Sequence, residues 1–153
     1  MTMPEGLPLL HADAQLVAVD KPAGMLSVPG RGAERADCAA TRVQAAFADA
    51  LIVHRLDMGT SGLLVFGRGP EAQRTLSMAF AARRVDKRYI AVVAGWPEAD
   101  EGVVELPLSG DWPNRPRQMV DHARGKPSTT RWRVLARHDG PQRTARLSLT
   151  PIT

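Results

Sequence analysis

Apolar residues in this chain come in short runs broken by glycine and proline, and that punctuation limits what the chain can build. Leu16–Asp20 (LVAVD) alternates apolar and small residues and stops at the turn Lys21-Pro22-Ala23-Gly24; Met25–Val28 reads as a short extended piece before Pro29-Gly30. Leu63–Phe66 (LLVF) closes at Gly67, and Arg88–Ala94 (RYIAVVA) is rich in β-formers. Thr129–Leu135 and Ala145–Thr150 alternate as strands with one wet face do, and Val103–Leu106 reads as a hairpin-like return. None of these runs approaches the roughly 18 apolar residues of a membrane span. Two segments have helical character. Cys38–Ala50 is alanine-rich, with Val43 and Phe47 four apart and Asp37 placed as an N-cap. Pro70–Arg84 opens on Pro and Glu, a helix-start signal, with Leu76 and Phe80 on one face. Two helices among six or seven strands predict an α+β fold with a mixed, mainly antiparallel sheet. A length of 153 residues predicts a single domain spanning 1–153.

One cysteine, Cys38, excludes an internal disulfide, and no Cys/His spacing suggests a zinc site. The N-terminal MTMPEGLPLLHADAQ lacks the basic and apolar regions of a secretory signal, so a cytoplasmic location is expected. The net charge is +4, unevenly spread: residues 115–153 hold nine Lys/Arg against two Asp/Glu, and arginine outnumbers lysine 17 to 3. Guanidinium forks match phosphate oxygens bidentately, which suits nucleic acid. A solvated basic face explains the same numbers.

The stretch His54-Arg55-Leu56-Asp57-Met58-Gly59-Thr60-Ser61-Gly62 sets an acid two residues from an arginine, between the apolar run Leu51-Ile52-Val53 and a glycine-bracketed turn. Two readings stand. In one, Asp57 is a turn residue whose carboxylate accepts N–H bonds from Gly59 or Thr60. In the other it is a reactive group: a nearby cation favours an ionised carboxylate, the flanking glycines admit a ligand, and an ionised carboxylate on a rigid support is a potential nucleophile. Gly59-Thr60-Ser61-Gly62 is one residue short of the G-x-S-x-G elbow, and neither a phosphate-binding P-loop nor a dinucleotide fingerprint occurs. His54 and Asp57 find no third ligand at metal-binding spacing.

His54-Arg55-Leu56-Asp57 followed by Thr60-Ser61-Gly62 resembles the H-R-L-D-x-x-T-S-G signature of RluA-type pseudouridine synthases. Val19-Asp20-Lys21-Pro22-Ala23-Gly24 is similar to that family's N-terminal D/N-K-P-x-G segment, and Lys87-Arg88-Tyr89-Ile90-Ala91 to its K-x-Y-x-A strand. Asp111-Trp112-Pro113-Asn114-Arg115-Pro116 and Gly125-Lys126-Pro127 resemble the narrower RluA subgroup, which acts on 23S ribosomal RNA and a tRNA anticodon stem-loop. The resemblance implies the pseudouridine synthase catalytic fold, structured RNA as partner, and isomerisation of uridine without cofactor or metal. The N1–C1′ bond breaks, the uracil rotates, and C5 joins the ribose. Asp57 is then the catalytic carboxylate, acting either by attack at C1′ or in glycal formation. Tyr89 packs on the target base and serves in proton transfer, and Arg55 enters the stack vacated by the flipped uridine. Lys21, Arg83, Arg84, Arg115 and Arg117 are the expected phosphate contacts. Relatives continue past a P-x-T strand end with G-R-[ST]-H-Q-[IL]-R, which supplies an arginine partner for the aspartate; this sequence ends at Pro151-Ile152-Thr153. The expectation is a synthase fold incomplete at its C-terminus, with much reduced or no activity. The alternative is an inactive fragment that holds RNA through its basic C-terminal third.

Overall fold

The computed structural model describes residues 6–30, 32, 36–114 and 117–153. They form two compact units, Met1–Arg84 and Val85–Thr153. The first holds β1 (Leu9–Ala12), β2 (Leu16–Lys21), α1 (Ala39–Ala46), β3 (Ala50–Ile52), β4 (Gly62–Arg68) and α2 (Gly69–Ala81); the second holds β5 (Tyr89–Ala94), β6 (Glu101–Gly110), β7 (Gln118–Val120), β8 (Lys126–His138) and β9 (Thr144–Pro151). The α+β class and two helices are as expected, but the strands divide into two sheets, ordered β1-β2-β4-β3 and β5-β9-β8-β6-β7. Every described pairing is antiparallel.

In the first unit β2 is central. Val17 pairs with Phe66, Val19 with Leu64, and Lys21 with Gly62. Alternation puts Val17, Val19 and Lys21 on one face. All three are fully buried, as are Leu64 and, on α1, Ala39 and Val43. The opposite face carries α2. At Gly67 a Cβ would lie 2.6 Å from the Gln73 backbone, so helix and strand are in backbone contact there.

Helix α1 is shorter than its alanine content suggests. It ends where the Phe47 N–H donates to the Val43 carbonyl, and Ala50 turns into β3. Its N-cap is Cys38, not Asp37. The Cys38 sulfur accepts the Thr41 N–H at 3.5 Å and the Thr41 hydroxyl accepts the Cys38 N–H at 3.1 Å, a capping box with a thiol in the usual serine position. Asp37 is drawn away by Arg42, whose guanidinium donates to both its oxygens at 2.8 and 2.7 Å. Met25–Val28, expected as extended, forms no strand, because its groups serve a loop described below.

In the second unit Val103–Leu106 belongs to β6, which pairs with β7 and β8. The register places Tyr89, Ala91 and Val93 opposite Leu149, Leu147 and Ala145. Trp132 lies over its partner Gly102, where a Cβ would meet the indole ring at 2.6 Å. Among the described residues no helix is long and apolar enough to cross a membrane.

Two tests follow from this packing. Gly67→Ala must push α2 off β4, since the obstruction is backbone, and is expected to lower stability by about 1–3 kcal/mol. Gly59→Ala, with nothing within 4 Å of its new Cβ, is expected to leave the melting temperature unchanged. Equal melting temperatures for the two variants would contradict the contact. At the β1–β2 turn, hydrogen bonds from His11 and from the Gln15 and Leu16 amides hold the Asp13 carboxyl down to about 2, from an ordinary 3.8. A lowered folded-state value gives stability that is complete above 3.8 and is lost as pH falls through about 2. The gap in unfolding free energy between the protein and Asp13→Asn should therefore close over that window, and a gap that persisted at the acid end would refute the assignment.

Candidate active site

The loop from His54 to Ser61 is held almost entirely through its backbone. His54 begins it. The Val65 N–H of β4 donates to His54 Nε2 at 3.1 Å, which places that ring's proton on Nδ1, and the imidazole stacks on Phe80 of α2 with centroids 4.5 Å apart. At Leu56, whose side chain is buried, the Ser27 hydroxyl donates to the carbonyl at 2.6 Å and accepts the N–H at 3.0 Å. The Asp57 carbonyl accepts the Thr60 N–H at 3.0 Å, and the Met58 carbonyl accepts the Gly24 N–H at 2.7 Å. Gly24 has φ +88°, a left-handed conformation that a side chain disfavours, and this turns its N–H toward the loop.

Lys21 completes the frame. Its ammonium donates to the carbonyls of Pro22 at 2.9 Å, Met25 at 2.7 Å and Met58 at 3.3 Å. The expected phosphate contact is thus a buried internal cation. The reason is strand parity. β2 runs one residue further than its apolar run suggests, so Lys21 falls on the inner face with Val17 and Val19, opposite Gly62, which has no side chain to fill the space. Burial lowers the Lys21 pKa from its ordinary value, and the charge of nearby Asp57 works in the other direction.

The Asp57 side chain is exposed, and among the described residues it takes no hydrogen bond or ion pair. The turn is closed by its main-chain carbonyl and leaves the carboxylate uncommitted. Arg55, also exposed, makes no ion pair with it; the cation that responds to Asp57 is Lys21. Arg83 and Arg84 end the first unit, exposed and without side-chain partners among the described residues. Arg83 closes α2 at φ 56°, a position usually given to glycine. Tyr89 opens β5 in the second unit, half-buried, and Arg117 lies exposed before β7. Arg115 lies outside the described residues. Other arginines are committed: Arg42 to Asp37, Arg68 to Asp49, Arg133 to Glu101, Arg137 to Asp100 and Arg143 to Asp139. Sequence reasoning missed Ser27; the signal available was a small hydroxyl residue in a segment too short and too proline-flanked to be a strand.

Lys21→Met keeps the apolar stem and deletes the ammonium, so the Pro22 and Met25 carbonyls lose this buried donor. The expected cost is on the order of 3 kcal/mol, read as a lowered denaturation midpoint. Lys21→Arg is not expected to restore it, because a planar fork cannot converge three N–H bonds on these oxygens. A Lys21→Met protein as stable as the original would show that the ammonium does not hold the loop.

The sequence model of the RNA pseudouridylate synthase family matches residues 15–153. The chain is 46% identical over 145 residues to the dual-specificity RNA pseudouridine synthase RluA of Yersinia pestis, covering 95% of this chain and 69% of the relative. It is 45% identical over 147 residues to the protein of that name from Escherichia coli strain K12, covering 96% and 66%. Two solved structures share the fold. Human RNA Pseudouridylate Synthase Domain Containing 1 superimposes with a TM-score of 0.79 at 20% identity, covering 97% of this chain and 60% of that one. Human RNA Pseudouridylate Synthase Domain Containing 4 gives 0.75 at 22%, covering 95% and 59%. The chain thus spans about two thirds of the length of these curated relatives and about three fifths of the solved chains. With residues 15–153 matched, this chain belongs to the RNA pseudouridylate synthase family.

Proposed function

We propose that the chain serves as one catalytic domain that converts uridine in structured RNA to pseudouridine, with Asp57 as the carboxylate acting at the ribose of a flipped-out nucleotide. The relatives are named as dual-specificity enzymes, and the resemblance of Asp111–Pro116 and Gly125–Pro127 to the RluA subgroup extends the proposal to 23S rRNA and a tRNA anticodon stem-loop as substrates, in the cytoplasm. The observation that carries the reading is an exposed carboxylate, uncommitted among the described residues, on a loop whose Leu56 N–H and carbonyl and Asp57 and Met58 carbonyls are hydrogen-bonded. A group held this way meets its substrate without first breaking a bond of its own, and little reorganisation is left for the reaction step.

Flipping a nucleotide costs a few kcal/mol in lost stacking and pairing. Arg55, two residues before Asp57 and without a carboxylate partner among the described residues, is suited to offset part of that by stacking in the vacated space. Tyr89 is proposed to pack on the uracil. Arg83, Arg84, Arg115 and Arg117 are proposed phosphate contacts, and Lys21 acts from inside the protein instead. The isomerisation is balanced without a metal or cofactor: the N1–C1′ bond is replaced by a C5–C1′ bond, and the proton that leaves C5 is matched by one gained at N1.

The test is Asp57→Asn, assayed for pseudouridine on a tRNA anticodon stem-loop and on a 23S rRNA fragment. Product is expected to fall to background while RNA affinity stays within about threefold of the unsubstituted protein, since a group acting only in the transition state contributes to rate rather than binding. Continued turnover by the Asn variant would remove Asp57 from the mechanism. A parallel loss of RNA affinity would make it a binding residue.

A further inference from the structure

We infer that Ser27 is a positioning residue for Asp57: its hydroxyl sets the direction in which that carboxylate leaves the loop. The inference rests on the role proposed above for Asp57. A serine hydroxyl has one proton to donate and lone pairs to accept with, and here both functions go to one residue. Ser27 Oγ gives its proton to the Leu56 carbonyl at 2.6 Å and takes the Leu56 N–H at 3.0 Å. That is the two-way exchange a neighbouring strand's backbone would make, performed by a side chain. Both residues are buried, Ser27 at 4% and Leu56 at 8% exposure, so water does not compete for either bond.

The consequence is geometric. The Leu56 N–H belongs to the peptide plane joining residues 55 and 56, and its carbonyl to the plane joining 56 and 57. Fixing both planes fixes the backbone torsions of Leu56 and so the point from which Asp57 departs. The next two planes are fixed by Thr60 on the Asp57 carbonyl and by Gly24 and Lys21 on the Met58 carbonyl. Only side-chain torsions remain free at Asp57. Ser27 is itself anchored. Its own carbonyl accepts the Ala40 N–H at 3.1 Å, and the Leu26 carbonyl accepts the Ala39 N–H at 2.8 Å, so two otherwise open donors in the first turn of α1 hold it. A line of hydrogen bonds therefore runs from the start of α1 through Ser27 to the residue before Asp57. Buried this deeply, Ser27 has no route to RNA, so its influence should appear in the rate and not in affinity.

The test compares Ser27→Thr with Ser27→Val, which match in volume and differ in the hydroxyl, using single-turnover pseudouridine formation, RNA affinity and amide exchange. The Thr variant is expected to stay within a few-fold of the original rate. The Val variant should lose roughly 10- to 100-fold in rate, keep its RNA affinity, and exchange the Leu56 amide faster while β2 and β4 stay protected. Equal rates for the two variants, or parallel losses of rate and affinity in the Val variant, would overturn the inference. In the unsubstituted protein, Leu56 should be as protected as the core strands whether or not any RNA is turned over. Exchange at the speed of an exposed loop amide would end the proposal even if no variant folds. Absence of product from the unsubstituted protein on every RNA, with Leu56 protected, would instead refute the activity proposed for this chain, on which the inference rests.

Discussion

A single ammonium group joins the two segments that make the candidate site. Lys21 sits at the end of β2 with no solvent exposure, a placement that would cost several kcal/mol for an unsatisfied ion. Three N–H donors meet three carbonyl oxygens, two from the turn after β2 and one from the loop 37 residues further on. The match is stoichiometric, and it explains why lysine and not arginine stands here: a compact ion with three divergent donors suits convergent carbonyls, whereas a guanidinium suits a planar anion. Asp57 lies close enough to add a favourable charge. The turn residues follow from this demand. Pro22 stiffens the chain where its carbonyl is needed, and Gly24 reaches a φ of +88° at little cost.

Charge counted along the sequence overstates what the surface offers to a polyanion. Of the basic residues after position 114, Arg133, Arg137 and Arg143 are tied to Glu101, Asp100 and Asp139. Two of those acids lie before position 115, so a count restricted to the C-terminal third cannot see the neutralisation. The cations without acidic partners among the described residues include Arg55, Arg83, Arg84 and Arg117. Each such group that meets a phosphate releases counterions and steepens the salt dependence of binding. Arginines already paired with an acid contribute less, because the anion that would be released is part of the protein.

Where local pattern decides, the sequence was readable. The strand at Leu16, the strand at Leu63, the proline-led α2, and β5, β8 and β9 all appear near their expected positions. Short elements were lost: β1, β3 and β7 have three or four residues, too few to show a period, and exist because longer neighbours template them. The division into two sheets was also hidden, because pairing partners are set by tertiary contacts that periodicity does not encode. Lys21 was legible in principle. Extending the alternation of Val17 and Val19 by one step places it inside, but a lysine followed by proline reads as the edge of a turn. The Cys38 cap was obscured by Asp37, a better capping residue by type, which Arg42 engages instead.

Asp57 differs from the aspartates around it in how its turn is closed. Asp13 accepts the Gln15 and Leu16 amides with its carboxylate, and Asp121 accepts those of Ala123 and Arg124 together with the Ser109 hydroxyl. In both, the side chain satisfies the backbone and its pKa is lowered, at Asp13 by the bond with His11 first and then by these amides, at Asp121 by the amides first. At Asp57 the backbone satisfies itself through the bond from Thr60, and the neighbouring peptides are supplied by Ser27, Gly24 and Lys21. Those groups do from outside the loop what an ordinary turn aspartate does from within. An arrangement that recruits a buried cation, a buried hydroxyl and a left-handed glycine to relieve one carboxylate of structural duty makes sense if that carboxylate has other work. Local consistency is given up at this residue and restored by its surroundings, which is the pattern expected where a fold carries chemistry.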